Sequence, residues 1–308
     1  VRLSDAASLG LPRHELLSPR WARLGRGVYG WSELDPLDAR VRIEAVLLDL
    51  PSYAVIGGWA SLWWQGARTL DGRTGPGGTT PVPILVHVGP TGHLRRRTGI
   101  DVDRSRLPAS EVVETRGVRV SVATRAVVDV MCRDGPEEGL VAGDAACAAG
   151  LTSATHVVQL VERSPGIRGI PRARLVAPLL SARSRSVPES RFRFVWVVEA
   201  GLPVPLVNAP VVDSENGWLV GEVDLLDDGA GMAGEYDGAH HRELDQHTAD
   251  NIREEGIDGL NITVVRATSI DLWPRRPQLV RRLAARRAQA LGRDRSRDRW
   301  GVRPFWPR

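Results

Sequence analysis

The chain has 308 residues, a formal net charge of +4, 42% apolar and 25% charged residues, as expected of a globular protein. This length exceeds one ordinary single-core domain, so we expect two or three domains. The longest uncharged apolar stretch, residues 53–64, falls short of the roughly 18 residues that a membrane span requires, which excludes an integral membrane protein.

The cysteine content and the start of the sequence bear on the cellular compartment. Cys132 and Cys147 are the only cysteines, too few for a disulfide framework or for a zinc site of their own. No charged-then-apolar leader opens the sequence, so we expect a cytoplasmic protein that does not bind membranes.

Charge is distributed unevenly along the chain. Residues 213–258 hold fourteen carboxylates and two arginines, whereas residues 275–308 hold twelve arginines and two aspartates. One interpretation is a solvated acidic face followed by a disordered end. The other is a cation-binding carboxylate cluster beside an arm that holds a polyanion. The chain has no lysine, so every permanently charged cation is an arginine, which suits phosphate.

Residues 1–32 predict a short helix, a turn, a second short helix and a hairpin. Gly10 ends the first helix and Pro12 begins the second. Residues 23–30 (Arg-Leu-Gly-Arg-Gly-Val-Tyr-Gly) alternate arginine with apolar residues around glycines, which is typical of a small basic β-wing.

Residues 10–16 (Gly-Leu-Pro-Arg-His-Glu-Leu), followed by the wing, resemble the winged helix-turn-helix module of the AbiEi-type antitoxin family. The resemblance implies a recognition helix over residues 13–18 that enters the DNA major groove, while the hairpin holds phosphates. The implied DNA contacts are Arg13, His14, Arg20, Arg23 and Arg26. The alternative is a small structural helical hairpin.

Residues 33–185 contain no recognisable catalytic motif. Apolar periodicity predicts helices over 41–50, 124–132, 137–149 and 153–162, and strands over 81–88 and 118–122. The glycine-rich run 71–80 is the best linker candidate, and His87 and His156 are predicted to be structural. In its order of elements and in residues 124–129 (Thr-Arg-Ala-Val-Val-Asp), this α/β region resembles the second half of the same antitoxin-like family.

Residues 186–273 carry the sequence features that indicate chemistry. Ser186, Pro188 and Glu189 form a capping box that begins a helix, which by itself accounts for the glutamate. Two apolar runs, 218–226 and 232–236, are joined by a short glycine-bearing connection and predict an antiparallel hairpin, with Asp227 and Asp228 as turn residues.

Three carboxylates of this hairpin are predicted to lie close together. Glu235 and Asp237 alternate along one strand and share a face, and folding the hairpin brings Asp224 nearly opposite Glu235. Clustered carboxylates repel one another unless a cation intervenes, and hard oxygen donors suit one or two Mg²⁺ or Mn²⁺ ions. His241, just beyond the strand, is a candidate general acid or base.

Residues 223–225 (Val-Asp-Leu), 234–238 (Gly-Glu-Tyr-Asp-Gly) and His241 resemble the PD-(D/E)XK restriction-endonuclease superfamily, in particular its very-short-patch-repair branch. The resemblance implies a mixed sheet flanked by helices and metal-dependent hydrolysis of DNA. It also implies that Asp224 and Glu235 are metal ligands, that Glu189 supports them, and that His241 assists proton transfer. Asp237, which departs from the family pattern, would either help to bind a second metal ion or weaken the site. Arg253 and Arg266 would hold the phosphate or stabilise the acidic centre. The superfamily's usual lysine position is occupied by Asp237, which indicates a modified site.

Periodicity predicts a helix over residues 278–291 with Leu279, Leu283 and Ala290 on its buried side, followed by disorder from residue 293. We therefore expect an α+β multidomain protein with a winged-helix module (1–70), an antitoxin-like middle domain (71–185), a restriction-endonuclease-like domain (186–274) and a basic helical tail (275–308).

Two functions remain open at this point. One is a DNA-binding, metal-dependent endonuclease. The other is a non-catalytic DNA-binding regulator or antitoxin with a possible toxin partner. The oligomeric state is not predicted.

Overall fold

The computed structural model describes residues 1–238 and 259–303, and their contacts divide the chain into two compact units. The first unit comprises Val1–Ala142 and Ala149–Ala177, and the second comprises Gly143–Ala148 and the chain from Pro178 onward. Both units combine helices with sheets, which confirms the expected mixture of α and β elements. Within the two described ranges, no helix has both the length and the apolar character needed to cross a bilayer.

The first unit begins with two 3₁₀ turns, Ala7–Leu9 and Glu15–Leu17, and an antiparallel hairpin of β1 (Trp21–Gly25) and β2 (Val28–Trp31). Gly10 adopts φ 70° and its N–H donates to the carbonyl of Ala7, so glycine ends the first turn as predicted. The order of short helices and hairpin is therefore confirmed. The segment predicted as a recognition helix, residues 13–18, contains a single 3₁₀ turn.

The rest of the first unit surrounds a five-stranded mixed sheet in the order β7-β6-β3-β9-β8. Its strands are short, and the two central pairings, β3 with β6 and β3 with β9, involve only one or two residues each. The elements are α1 (Ala39–Leu47), β3 (Val55–Ile56), α2 (Gly58–Gln65), β4 (Arg73–Thr74), β5 (Thr80–Pro81), β6 (Ile84–His87), β7 (Ile100–Asp103), β8 (Val112–Thr115), β9 (Val118–Ser121), α3 (Ala123–Arg133), α4 (Pro136–Ala148), α5 (Ala154–Arg163) and α6 (Ile170–Val176).

The glycine-rich segment 71–80 is not a linker, which corrects the prediction. β4 and β5 pair as a small hairpin, and Arg42 on α1 donates from Nη1 to the carbonyl of Gly72 at 2.7 Å and also to the carbonyl of Val82. The glycine-rich segment forms a tight turn that is hydrogen-bonded to α1 through Arg42. β3 and α2, which precede residue 71, also share one apolar core with β6, β7 and β9, so the sheet continues across the predicted boundary between residues 70 and 71.

His87 lies at the centre of a buried group of charges in the first unit. Its side chain is 1% exposed, its Nε2 is 2.9 Å from Oδ2 of Asp129, and its Nδ1 is 3.3 Å from Oδ2 of Asp103. Arg125 adds ion pairs to Asp129 and Glu111 at 2.9 and 2.6 Å. Burial alone would lower the pKa of His87, but the two neighbouring carboxylates outweigh burial and raise the pKa to about 9. His87 is thus a structural, positively charged histidine.

We expect this charge group to make stability fall as the pH rises. Because the folded pKa of His87 exceeds the unfolded value, its contribution is complete below about pH 6.5 and is lost as the pH rises through about 9. The expected loss is on the order of 3 kcal/mol of unfolding free energy. Urea unfolding at about pH 6 and about pH 9.5 measures it. His87→Gln should reduce the fall in stability by about this amount, leaving the part due to other groups such as Asp134, whose pKa is raised to about 7 by burial. The exposed His156→Gln should keep the whole fall, and equal falls in all three proteins would refute the assignment.

The second unit is a five-stranded mixed sheet in the order β13-β12-β11-β10-β14 with helices against it. β10, β11 and β12 form an antiparallel meander, β13 runs parallel to β12, and β14 pairs antiparallel with β10. The elements are α7 (Val187–Phe194), β10 (Leu206–Asp213), β11 (Leu219–Asp227), β12 (Met232–Tyr236), β13 (Thr263–Ala267), α8 (Ser269–Leu272), α9 (Arg276–Leu291) and β14 (Trp300–Val302).

An apolar core packs against each face of this sheet. α7 and α9 pack on one face, where Leu279, Leu283 and Ala290 are fully buried, as the periodicity of α9 predicts. A smaller core on Val223, Leu226 and Ala233 lies on the other side. Gly234 sits under α7, where a Cβ atom would come within 2.8 Å of the ring of Phe192, so a side chain there would displace the helix.

Disorder from residue 293 onward was predicted, and the described part of this tail contradicts it. Arg293 donates from Nη1 to the carbonyl of Gly231 and to Thr263, at 2.9 and 3.0 Å. Trp300–Val302 then add a strand to the edge of β10. The described part of this segment is therefore ordered, and its arginines make specific contacts with the second unit.

Candidate functional site

The candidate site is built on the β11–β12 hairpin. Oδ1 of Asp227 accepts from the backbone N–H of Ala230 at 3.0 Å, and Gly231 takes the left-handed conformation at φ 64°, so these residues make the turn as predicted. The ladder pairs Asp227 with Met232, Leu226 with Ala233 and Leu225 with Gly234. Continuing this register places Asp224 opposite Glu235.

The backbone ladder between β11 and β12 ends at Leu225, and beyond it the side chain of Asp224 bonds to the backbone of β12. Its Oδ2 accepts from the backbone N–H of Tyr236 at 2.7 Å. This bond orients the carboxylate of Asp224 toward the end of β12, next to Glu235. Asp224 is half-buried and Glu235 is buried, whereas Asp237, just past the strand, is exposed. Two carboxylates therefore occupy adjacent positions in partly desolvated surroundings, with the third at the rim.

The parallel strand β13 contributes a cation to the same place. Arg266 is the register partner of Glu235, and its Nε lies 3.8 Å from Oε2 of Glu235. The Arg266 side chain is 41% exposed and that of Glu235 is 10% exposed, so one side of the guanidinium faces solvent. An arginine in this position can partly neutralise Glu235 and can also contact a phosphate oxygen.

Glu189 begins α7 and is held by the capping interaction. Ser186 Oγ donates to Oε1 of Glu189 at 2.9 Å and accepts from the Glu189 N–H at 3.3 Å. Oε2 accepts from the backbone N–H of Arg185 and from Nδ2 of Asn208, at 3.0 and 2.9 Å. These bonds engage both carboxylate oxygens, so the predicted pairing of Ser186 with Glu189 at the start of α7 is present, with the glutamate bonded to the N–H of Arg185 where a standard capping box uses that of Ser186.

Asn208 links Glu189 to the strand that carries Asp224. It is buried, and it has φ 47° inside β10, a conformation that asparagine tolerates better than most residues. The register pairs Val207 with Leu225 and Ala209 with Val223, so Asn208 and Asp224 occupy the positions between these pairs. Sequence reasoning missed Asn208, because nothing in the local pattern signals a left-handed residue within a strand.

We expect Glu189→Ala to lower the unfolding free energy by about 1 kcal/mol, because a reciprocal cap is lost and the buried amide of Asn208 loses an acceptor. Urea denaturation measures the change. Glu215→Ala, which removes an exposed carboxylate from the same unit, is the control and should shift stability by less than about 0.5 kcal/mol. Equal effects of the two substitutions would contradict the capping role.

The residues present fit a divalent cation of the Mg²⁺ type. Proteins often hold Mg²⁺ through only one or two carboxylates, with water and substrate phosphate as the other ligands. Asp224 and Glu235 supply two such carboxylates from adjacent strands. In residues 1–238 and 259–303, no group of three or more His, Cys, Asp or Glu side chains is arranged to hold a metal ion. His241 and Arg253 lie outside the described residues.

The predicted DNA contacts of the first unit lie on its surface. Arg13 and His14 directly precede the second 3₁₀ turn, Arg20 precedes β1, Arg23 is on β1, and Arg26 is in the hairpin turn; all five are exposed. Arg23 donates from Nε to the carbonyl of Gly25 at 3.1 Å, which braces the tip of the hairpin. These side chains therefore form an exposed cationic surface on the hairpin and the preceding turn.

Comparison of the chain with protein-family models and with curated proteins finds no match in either. The assignment of function therefore depends on the residues and geometry described above.

Proposed function

We propose that the chain is a DNA-binding protein whose second unit hydrolyses phosphodiester bonds with the help of a divalent cation held by Asp224 and Glu235. The observation that carries this proposal is the placement of the two carboxylates on adjacent strands, where the hairpin ladder ends and Asp224 bonds to the backbone of Tyr236. Two partly buried carboxylates placed side by side repel each other, and a bound cation would relieve this repulsion in addition to Arg266.

The order of elements around the pair supports the same proposal. α7 is followed by the antiparallel meander β10–β11–β12, and β13 returns parallel to β12. This agrees with the mixed sheet and flanking helices that the resemblance to the PD-(D/E)XK superfamily implies. The two carboxylates that the resemblance assigns to metal binding, Asp224 and Glu235, then lie on the second and third strands of the meander.

Each residue has a distinct part in the proposed reaction. When bound, the divalent cation would activate a water and offset charge on the scissile phosphate. Asp224 and Glu235 bind and orient the cation, and Asp237 adds a carboxylate at the rim. Arg266 provides positive charge beside Glu235, where Asp237 replaces the superfamily's lysine. His241 would move the proton, and Arg253 would hold the phosphate. The exposed cations of the amino-terminal hairpin would bind the duplex backbone.

The test is incubation of supercoiled plasmid with the full chain in Mg²⁺, in Mn²⁺ and in EDTA. Conversion to nicked or linear plasmid in either metal, and its absence in EDTA, is the expected result. DNA binding without conversion in any metal would instead favour the second candidate, a regulator or antitoxin that acts through binding and engages a toxin partner. Asp237 at the usual lysine position is the feature that favours this second candidate.

A further inference from the structure

The first unit contains a basic cleft that neither predicted function uses. Its volume is about 1140 Å³, and seven arginines and three aspartates line it. The lining comes from three segments: β7 with the chain on either side of it, one side of α3, and the turn that leads into α6 together with the first turn of α6. Segments distant in sequence therefore converge on one concave surface with four more cationic than anionic side chains.

The aspartates of the cleft are already engaged by cations on its floor. Asp129 is paired with His87 and Arg125, at 2.9 Å in each case. Asp103 lies 3.4 Å from Arg133 as well as beside His87, and Asp101 lies 3.3 Å from Arg133. The negative charges are thus neutralised within the protein and do not oppose an incoming anion.

The rim arginines, by contrast, point a surplus of positive charge at solvent. Among the described residues, Arg104 and Arg172 donate only to backbone carbonyls, those of Leu94 and Cys132. Arg106 and Arg168 have no hydrogen bond or ion pair to any other part of the described chain. Arg96 lies 3.4 Å from Asp101, so it shares that aspartate with Arg133. All five rim side chains are exposed: Arg96, Arg104, Arg106, Arg168 and Arg172.

We propose that this cleft binds the phosphodiester backbone of nucleic acid. Guanidinium groups pair with phosphate in a bidentate manner, and a concave wall of one sign of charge concentrates an oppositely charged ligand. The arginines are spread along a cleft larger than the roughly 300–1,000 Å³ of ordinary small-molecule pockets, so several phosphates of one polymer fit better than a single ion. The inference does not rest on the proposed metal site.

The test is the affinity of the full chain for a fluorescently labelled duplex of about 20 base pairs, measured by anisotropy in EDTA over a range of salt concentrations. The Arg106→Gln, Arg168→Gln double variant should bind about ten-fold more weakly at about 0.1 M salt. The slope of log K against log salt should shrink by about 1.8, since each lost phosphate contact removes about 0.9. Two duplexes of unrelated sequence should show the same losses, because backbone contacts carry no sequence information.

The matched control is the Arg163→Gln, Arg174→Gln double variant, which removes the same charge from exposed arginines outside the cleft. It should keep wild-type affinity within about two-fold and change the slope little. Equal losses in the two double variants would show a diffuse charge effect and overturn the proposal, as would a cleft variant that binds like wild type. Binding to phosphatidylserine vesicles is measured for the same proteins. If the cleft variant lost vesicle binding and kept duplex binding, the proposal would also be overturned. Since EDTA prevents cleavage, an inactive metal site leaves this result unaffected.

Discussion

Glu235→Gln and Asp224→Asn should each reduce metal-dependent plasmid nicking by at least about 100-fold, the typical cost of removing one group that stabilises transition-state charge. Each substitution keeps the shape of the side chain and removes the negative charge that would hold the cation. Asp224→Asn preserves an oxygen that can accept from the N–H of Tyr236, so the strand end should remain in place. Affinity for duplex DNA in EDTA should stay within about two-fold of wild type, because arginines supply it.

Asp228→Asn is the matched control for these two variants. Asp228 lies in the same hairpin, is exposed, and makes its side-chain bond to the N–H of Gly229, so the substitution removes one carboxylate charge away from the proposed cation. It should nick plasmid at the wild-type rate. If Asp228→Asn lost as much activity as Glu235→Gln, local charge and not cation binding would explain the effect.

Asp144→Ala should destabilise the second unit by about 3–5 kcal/mol, because it leaves the guanidinium of Arg193 buried without its counter-ion. Both side chains are nearly inaccessible, with 1% and 2% exposure, and they form a direct ion pair. Asp144 also accepts from Ser190 Oγ at 2.7 Å and from the backbone N–H of Ser181 at 2.8 Å. Arg193 donates in addition to the carbonyl of Leu179. Urea unfolding followed by circular dichroism measures the loss.

The double variant Asp144→Leu, Arg193→Met separates the lost interaction from the buried charge. Replacing both partners by apolar residues of similar size removes the desolvation cost along with the attraction, so its stability should lie within about 2 kcal/mol of wild type. If its loss of stability equalled the summed losses of the Asp144→Leu and Arg193→Met single variants, the two side chains would not be coupled. The loss of the ion pair would then not explain the large destabilisation expected of Asp144→Ala.

The sequence predicted the elements whose signals are local. The β11–β12 hairpin follows from a glycine-bearing turn between two apolar runs, and this alone places Asp224 beside Glu235. The buried side of α9 follows from helical periodicity at Leu279 and Leu283. Both predictions succeeded because the residues that determine the structure lie within about twenty positions of one another.

The features that sequence reasoning missed depend on contacts between distant segments. β14 was read as a disordered arginine-rich tail, yet it pairs with β10, which lies far earlier in the chain. The sheet of the first unit is joined at its centre by β3, a strand of two residues that gives no periodic signal. Asn208 joins Glu189 to the strand beside Asp224 through a left-handed backbone conformation that only the folded sheet requires.

Titration of the protein with Mn²⁺, with the free ion followed by electron paramagnetic resonance, tests directly whether Asp224 and Glu235 form a cation site. The account predicts saturable binding of one or two ions in the wild type and in Asp228→Asn, and its loss in both Asp224→Asn and Glu235→Gln. Unchanged Mn²⁺ binding in the latter two variants, with their folds intact by circular dichroism, would contradict the account.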